Sequence, residues 1–441
     1  MRRRDLLRDA SLALAGFGIS GCAKLAPNHA RGRAAAPIAA KRAPHAPVNL
    51  APVIASWDRV IRTTVGLRPH RDSGFVLRAD KLDDKLLIHN YGHGGAGMSI
   101  AWGTGSMAVD FAMQQSERRA AVIGCGSPGL TAARQLQRRG FTVTIYAMSV
   151  PPDTTSNMSL AGYTPVSGLI ANDKRTPAWD AQFRQAADIS YRQLQLLVGA
   201  GYGVYWQDAY NATDNPDGQP GGGGGRGEDL GDLIPESLRG VVDREVLGPG
   251  EHPFPTQYAI RRSNLRIEPS IYLEALVRDV LRNGGRIVIR KFETPRDLLT
   301  LTEPVIVNCT GLGSKALFND EELIPVKGQL TVMVPQTEVT YSASGRLPGM
   351  PAPAPGTFTP GGGGGGGGAS MNARNDGLVI GNMQERGNWS LDVNQDVRQR
   401  VVDAAIQFFA AMRPATPGVP FTRWEPRAAA PSVESFFDLD S

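Results

Sequence analysis

Residues 65 to 105 are the stretch of this 441-residue chain most informative about chemistry. The run opens with Val65-Gly66-Leu67-Arg68-Pro69. It continues from Leu87-Ile88-His89-Asn90-Tyr91-Gly92-His93 through Gly94-Gly95-Ala96-Gly97-Met98-Ser99 to Trp102-Gly103. Four glycines between Gly92 and Gly97 let backbone amides approach a flat, electron-rich ligand, because no Cβ stands in the way. Taken alone, a strand arginine such as Arg68 reads as a solvated charge. His89 and His93 have the spacing of two metal ligands on one helix face. The glycines around them argue against a helix there, and no metal site is expected. Cys22, Cys125 and Cys309 fit neither a disulfide framework nor a zinc site. Cys125 and Cys309 stand at the ends of strand patterns, where a small buried thiol is expected rather than a nucleophile.

A second ligand signal shows which elements must position these groups. Ala120 to Ile123 is a buried-strand pattern running into Gly124-Cys125-Gly126-Ser127-Pro128-Gly129, then Leu130 to Leu136 at helical spacing, then a strand from Phe141 to Tyr146. A G-x-G-x-x-G between strand and helix permits a tight turn and brings a pyrophosphate to the amides at the helix start. Dinucleotide binding is therefore expected, with a plain tight turn as the alternative. The carboxylate such turns use for the ribose is missing, because Tyr146-Ala147-Met148 stands at its place. Ile271 to Asn283 is an amphipathic helix closed by Gly284-Gly285 and followed by a strand from Arg286 to Arg290. A further buried strand, Pro304 to Asn308, ends in Cys309-Thr310-Gly311-Leu312-Gly313. Together these predict a parallel sheet with crossover helices. Two glycine runs, Gly221 to Gly225 and Gly361 to Gly368, read as surface loops, as lids or as spacers.

The chain length predicts two or three domains, and 41% hydrophobic residues exclude a disordered or fibrous chain. The formal charge of +5 comes from the N-terminus: the first 45 residues carry nine basic and two acidic groups, leaving 38 basic and 40 acidic elsewhere. No nucleic-acid partner is expected of the folded part. Arg3-Arg4, Leu6-Leu7-Arg8 and the apolar run Ala10 to Ile19 resemble a twin-arginine export signal, too short to span a bilayer. Ile19-Ser20-Gly21-Cys22 looks like a lipobox, with Cys22 acylated; the alternative is a small-residue cleavage site and an incidental cysteine. Residues 23 to 50 hold ten alanines and four prolines and read as a tether. The expected product is exported, periplasmic or at the cell surface, and lipid-anchored to the membrane, with its globular part starting near Ala51.

The blocks GLRPHR, IHNYGHGGAGMSIAWG, AAVIGCGSPGL, Asp153 to Pro165, Val305 to Leu317 and Gly387-Asn388-Trp389-Ser390 together resemble D-amino-acid and D-aspartate oxidases. The resemblance covers most of Ala51 to Ala410. It implies an α/β protein with a Rossmann-type FAD-binding domain and a second, mixed-sheet α+β substrate domain. Family members begin with the G-x-G-x-x-G strand and end with the GLRP and HNYGHGG blocks, whereas here the closing blocks come first. The order is that of a circular permutation with its new join at Ser116 to Arg119. The implied division is a signal peptide over 1–21 and a tether over 22–50. The FAD-binding domain takes 75–170 and 255–325, and the substrate domain 51–74, 171–254 and 326–441.

The resemblance also implies roles. Gly124, Gly126, Ser127, Pro128 and Gly129 match the pyrophosphate turn, Thr154 and Thr155 match hydroxyls near the phosphates, and Gly162 belongs to the same cofactor site. Phe292 falls where backbone meets adenine. Gly94, Gly95, Ala96, Gly97, Met98 and Ser99 match the loop whose amides face the flavin ring. Arg68 matches the grip on the substrate carboxylate, and Gly95 the carbonyl that accepts from the substrate amine. A tyrosine that helps hold the carboxylate is replaced by Phe358, a place Tyr163 or Tyr341 could fill. The implied reaction passes hydride from the α-carbon of a D-amino acid to flavin, with O2 reoxidising it to give H2O2 and the imine hydrolysing to a 2-oxo acid and ammonia. No general acid or base is required. Two alternatives stay open: an FAD amine dehydrogenase using a membrane electron acceptor, and a flavin-binding protein without turnover.

Overall fold

Short Val, Ile and Ala runs bounded by glycine turns form strands buried on both faces, and longer runs of alternating polarity form strands of a second sheet. A computed structural model describes residues 46–160, 162–216, 230–235, 238, 244–348 and 368–415. The expected signal peptide, Cys22, most of the tether, Phe358 and the glycine runs 221–225 and 361–367 lie outside the described residues. In chain order the first half holds β1 (Val60–His70), β2 (Val76–Leu82), β3 (Lys85–Tyr91), α1 (Gly97–Ala112), β4 (Arg119–Ile123), α2 (Ser127–Arg138), β5 (Thr142–Ala147), α3 (Pro177–Leu197) and β6 (Val204–Thr213). Then come β7 (Arg244–Leu247), β8 (Tyr258–Ile267), α4 (Pro269–Arg282), β9 (Arg286–Ile289), β10 (Val305–Asn308), α5 (Gly313–Phe318), β11 (Ile324–Met333), β12 (Ser342–Gly345), β13 (Ala369–Arg374), β14 (Gly377–Arg386) and α6 (Gln395–Ala410).

The first sheet has the order β2-β3-β10-β4-β5-β9, parallel except for the antiparallel edge strand β2. Ala120 and Val122 of β4 pack with Ile100, Trp102, Leu130 and Tyr272 from the helices on one face. Ala121 and Ile123 pack with Leu298, Leu301 and Phe292 on the other. The uninterrupted apolar run of β4 is explained by burial on both sides. The second sheet has the order β1-β11-β14-β13-β12-β6-β8-β7 and is mixed, because β12 and β6 run parallel. Its outer face is covered by α6 through Val402, Phe408 and Phe409 against Ala343, Met371 and Ile380. An α/β chain with a dinucleotide-type sheet and a second, mixed sheet is the architecture the sequence led to.

Three expected boundaries need correction. Tyr258–Ile267, assigned with the cofactor domain, pairs with β6 and β7 in the second sheet. Helix α3, assigned to the substrate domain, packs on α1: a Cβ on Gly103 would lie 1.9 Å from the Ala186 carbonyl oxygen, and the Gly103 amide donates to Ser190 Oγ at 2.7 Å. Packing also starts before Ala51. Val48 donates its amide to the Glu251 carbonyl at 2.9 Å, and Val48 and Leu50 pack against the outer-face core. Each error arose at a segment whose partner is remote in sequence. No helix among the described residues is long and apolar enough to cross a membrane.

Candidate cofactor and substrate site

The strand order of the first sheet reverses between β4 and β10, and both strands end at the same edge. In open parallel sheets the crevice at such a reversal is where ligands bind. Gly124 has φ +114°, and a Cβ on it would lie 2.5 Å from the Cys309 carbonyl oxygen; one on Gly129 would lie 2.0 Å from the Gly124 carbonyl oxygen. These two glycines are demanded by packing. Gly126 is less confined, the nearest neighbour of a Cβ there being the Ser156 hydroxyl at 3.0 Å. Ser127, the first residue of α2, donates its amide to Ser156 Oγ at 2.9 Å. Thr154 is buried and donates its hydroxyl to Asn157 Oδ1 at 2.8 Å, whereas Thr155 is exposed. A tight turn with glycine at three of its six positions, a helix start and neighbouring hydroxyls fit a pyrophosphate. Ser156 is the contact that the sequence reading missed, although it continues the Thr154-Thr155 hydroxyl pair.

At the end of β5, where a ribose carboxylate is absent, Met148 is 70% exposed. Phe292 is buried beside that strand end, edge-on to Tyr146 at 6.0 Å and covered by the Arg290 guanidinium at 4.6 Å. Gly162 forms a bridge with Arg266, whose Nη1 would lie 3.0 Å from a Cβ there.

Strand β3 runs parallel to β10, so the glycine loop from Gly92 emerges at the same edge. Its amides are not all free to face a ligand, which corrects the expectation for Gly94 to Ser99. Gly94 donates to the Pro69 carbonyl at 2.8 Å, Gly95 to the Ser167 carbonyl at 3.1 Å and Ala96 to the His93 carbonyl at 2.9 Å. Ser99 donates to the Ala96 carbonyl at 2.8 Å, so Gly97 and Met98, at the start of α1, hold the amides without an intrahelical acceptor. Ser99 Oγ accepts from the Thr164 amide at 2.8 Å. The loop is thus preorganised by protein carbonyls, and a ligand is left the helix start.

His89 and His93 serve different neighbours. His89 Nδ1 accepts from Asn308 Nδ2 at 3.0 Å and its Nε2 donates to Asp80 at 3.2 Å; burial lowers its pKa to about 4. His93 stacks on Phe75 and pairs Nε2 with Thr104 Oγ1 at 3.0 Å, and burial lowers it to about 3. No group of three potential metal ligands occurs among the described residues. Cys125 and Cys309 are free and buried, and burial pushes the Cys125 thiol up to about 12 and the Cys309 thiol up as well.

Arg68 stands on β1 opposite Val326 of β11, and burial lowers its guanidinium to about 10, so it stays charged at neutral pH. The hydrogen bond from Gly94 to the carbonyl of Pro69 joins its strand to the glycine loop. Gly66, two residues upstream, abuts Met158, which closes the short helical turn Thr155–Met158 beside the pyrophosphate turn. Arg68, the loop carrying Gly95 and the hydroxyl segment are therefore brought together from three remote stretches of chain. Tyr341 is not: its hydroxyl donates to the Ala51 carbonyl at 2.6 Å on the outer face, which corrects its candidacy. Tyr163 packs its ring against Tyr191 at 5.4 Å.

A family model described as FAD dependent oxidoreductase matches residues 119–431. A D-amino-acid oxidase of Streptomyces coelicolor is 48% identical over 54 residues, covering 12% of this chain and 17% of that protein. A D-amino acid oxidase of Dugesia ryukyuensis is 23% identical over 227 residues, covering 48% of this chain and 59% of that protein. The chain thus matches less than two thirds of the length of either relative. Among solved structures, glycine oxidase from Bacillus cereus gives a TM-score of 0.40 at 16% identity, over 67% of this chain and 80% of that one.

Proposed function

The chain belongs to the FAD dependent oxidoreductase family, and on that premise we propose that it oxidises the α-carbon of a D-amino acid, with dioxygen as the final electron acceptor. The observation that carries this reading is the buried Arg68, whose neighbour Pro69 accepts a hydrogen bond from the Gly94 amide of the loop that leads into α1, and whose strand sets Gly66 against Met158 in the segment after the pyrophosphate turn. FAD, when bound, supplies a two-electron acceptor. Gly124 to Gly129 and Ser156 would hold its pyrophosphate, and the amides of Gly97 and Met98 offer donors at a positive helix end. Arg68 would fix the substrate carboxylate with both guanidinium edges, and the Gly95 carbonyl would accept from the amine. With the carboxylate and the amine both held, only one enantiomer would turn its α-hydrogen toward the flavin, so that orientation carries the rate. No side chain need move a proton in the oxidative step.

The segment order supports a circular permutation of this family's fold. The residues Arg3-Arg4, Ala10 to Ile19 and Cys22 support export and a lipid anchor. The test of the substrate reading is Arg68→Ala. Loss of a charge-assisted pair should lower kcat/KM for D-amino acids by about 10- to 100-fold or more, since such a pair contributes about 1.5 to 3 kcal/mol. Undiminished activity in that variant would overturn the reading.

A further inference from the structure

We propose that Gly328 is a positioning residue of the carboxylate site, its missing Cβ being the seat of the Arg68 guanidinium. The inference rests on the reading of Arg68 given above. Strands β1 and β11 pair antiparallel with Gly66 directly opposite Gly328, and Arg68 opposite Val326 on the same face. Two facing glycines open one notch in that face, and its two halves are filled differently. A Cβ on Gly66 would lie 2.7 Å from the Cβ of Met158 and 3.9 Å from its Cα, the stiff base of a side chain. A Cβ on Gly328 would lie 2.5 Å from Arg68 Nη1, 2.9 Å from Cζ and 3.0 Å from Nη2. Its nearest neighbours are thus three atoms that define the plane of the fork.

The difference predicts opposite consequences of the same small substitution. Gly328 is absent from the residues with positive φ, so alanine suits its backbone. The overlap is with the far end of a long, flexible side chain, which can move away while the sheet stays intact. Moving it shifts the guanidinium by roughly 1 Å, and a misplacement of that size is enough to break a two-pronged carboxylate pair. The positive charge remains in the site, so a saturated variant still turns over. At Gly66 the neighbour cannot step aside, and the penalty falls on folding.

The experiment compares holoenzyme with G328A, G66A and R68A, measuring steady-state kinetics on a D-amino acid, the dissociation constant of propionate by calorimetry, FAD content and thermal midpoint. For G328A the expected result is a KM and a propionate dissociation constant raised at least about tenfold, with FAD content and midpoint unchanged. G66A is expected to lower the midpoint. In an R68K background, where a compact ammonium replaces the fork, adding G328A should change KM little. Unchanged KM and propionate affinity in G328A, alongside a collapse in R68A, overturns this inference and leaves the reading of Arg68 standing. A joint fall of kcat, FAD content and midpoint in G328A also overturns it, as a merely structural role. An R68A enzyme with unaltered KM overturns both.

Discussion

Arg68 and the two histidines show how burial sorts charge in this site. A guanidinium lowered to about 10 still carries its proton at neutral pH, so it can be enclosed and remain an anion anchor. An imidazole treated the same way becomes neutral. His93 goes from 6.5 when unfolded to about 3 when folded, so between those values the unfolded chain binds more protons. Its contribution to stability is complete above about 6.5 and is lost as pH falls toward 3. His89, lowered to about 4, acts in the same direction. His93→Gln can keep a hydrogen bond to Thr104 without titrating. Between pH 4 and 6 it should flatten the pH dependence of stability by up to one proton, about 1.4 kcal/mol per pH unit, as read from denaturant melts at several pH values. An unaltered slope would show that His93 is not the group responsible. Cys125 and Cys309, buried with raised thiol pKa values, should resist alkylation in the native protein and react only after unfolding, which mass spectrometry would read.

The glycine turn at the end of β4 separates two roles that one motif merges. Gly129→Ala drives a Cβ against backbone, 2.0 Å from the Gly124 carbonyl oxygen, and should destabilise the fold by roughly 1 to 3 kcal/mol in a denaturant melt. Gly126→Val meets chiefly the movable Ser156 hydroxyl, so the protein should fold but bind FAD weakly; a yellow variant at full occupancy would remove the pyrophosphate from this turn. This element was legible in the sequence because its signal is local: strand, turn, helix and strand occupy Ala120 to Ala147 without interruption. The uses of the Gly94 and Gly95 amides were not legible, because their acceptors, Pro69 and Ser167, belong to other segments. The assignment of β8 failed because Tyr258–Ile267 looks like any strand, and its pairing with β6 and β7 is what places it in the second sheet. Ser156 and Gly328 carry no pattern of their own. Each acquires its role from a neighbour that folding delivers.

The whole molecule bears on the order of its parts. Helix α1 and strand β4 are joined by residues 113–118 and share one hydrophobic core; the proposed permutation makes this connection a link between former ends. At the other end, Val48 donates to the Glu251 carbonyl and Arg413 to the Pro253 carbonyl, so both ends of the folded body anchor two residues apart on one segment. Termini that close can be linked, since each residue of linker spans about 3.3 to 3.6 Å. A chain reopened between Ser116 and Glu117, with a linker of about six residues joining Arg413 to Val48, should fold with an unchanged thermal midpoint to within a few degrees and bind FAD; failure to fold would contradict the permutation. On the proposed export and lipid anchor, replacing Cys22 with Ser should move the protein from the membrane to the soluble fraction, as fractionation would show. The proposed function puts FAD and a carboxylate anchor around one α-carbon. Its most direct measurement is the visible spectrum of the purified flavoprotein, recorded without oxygen as single enantiomers of amino acids are added. D-amino acids should bleach the flavin, air should restore the colour with one hydrogen peroxide formed per turnover, and L enantiomers and amines without a carboxylate should leave the spectrum unchanged. A flavin that no D-amino acid bleaches, or that amines lacking a carboxylate bleach equally well, would contradict it.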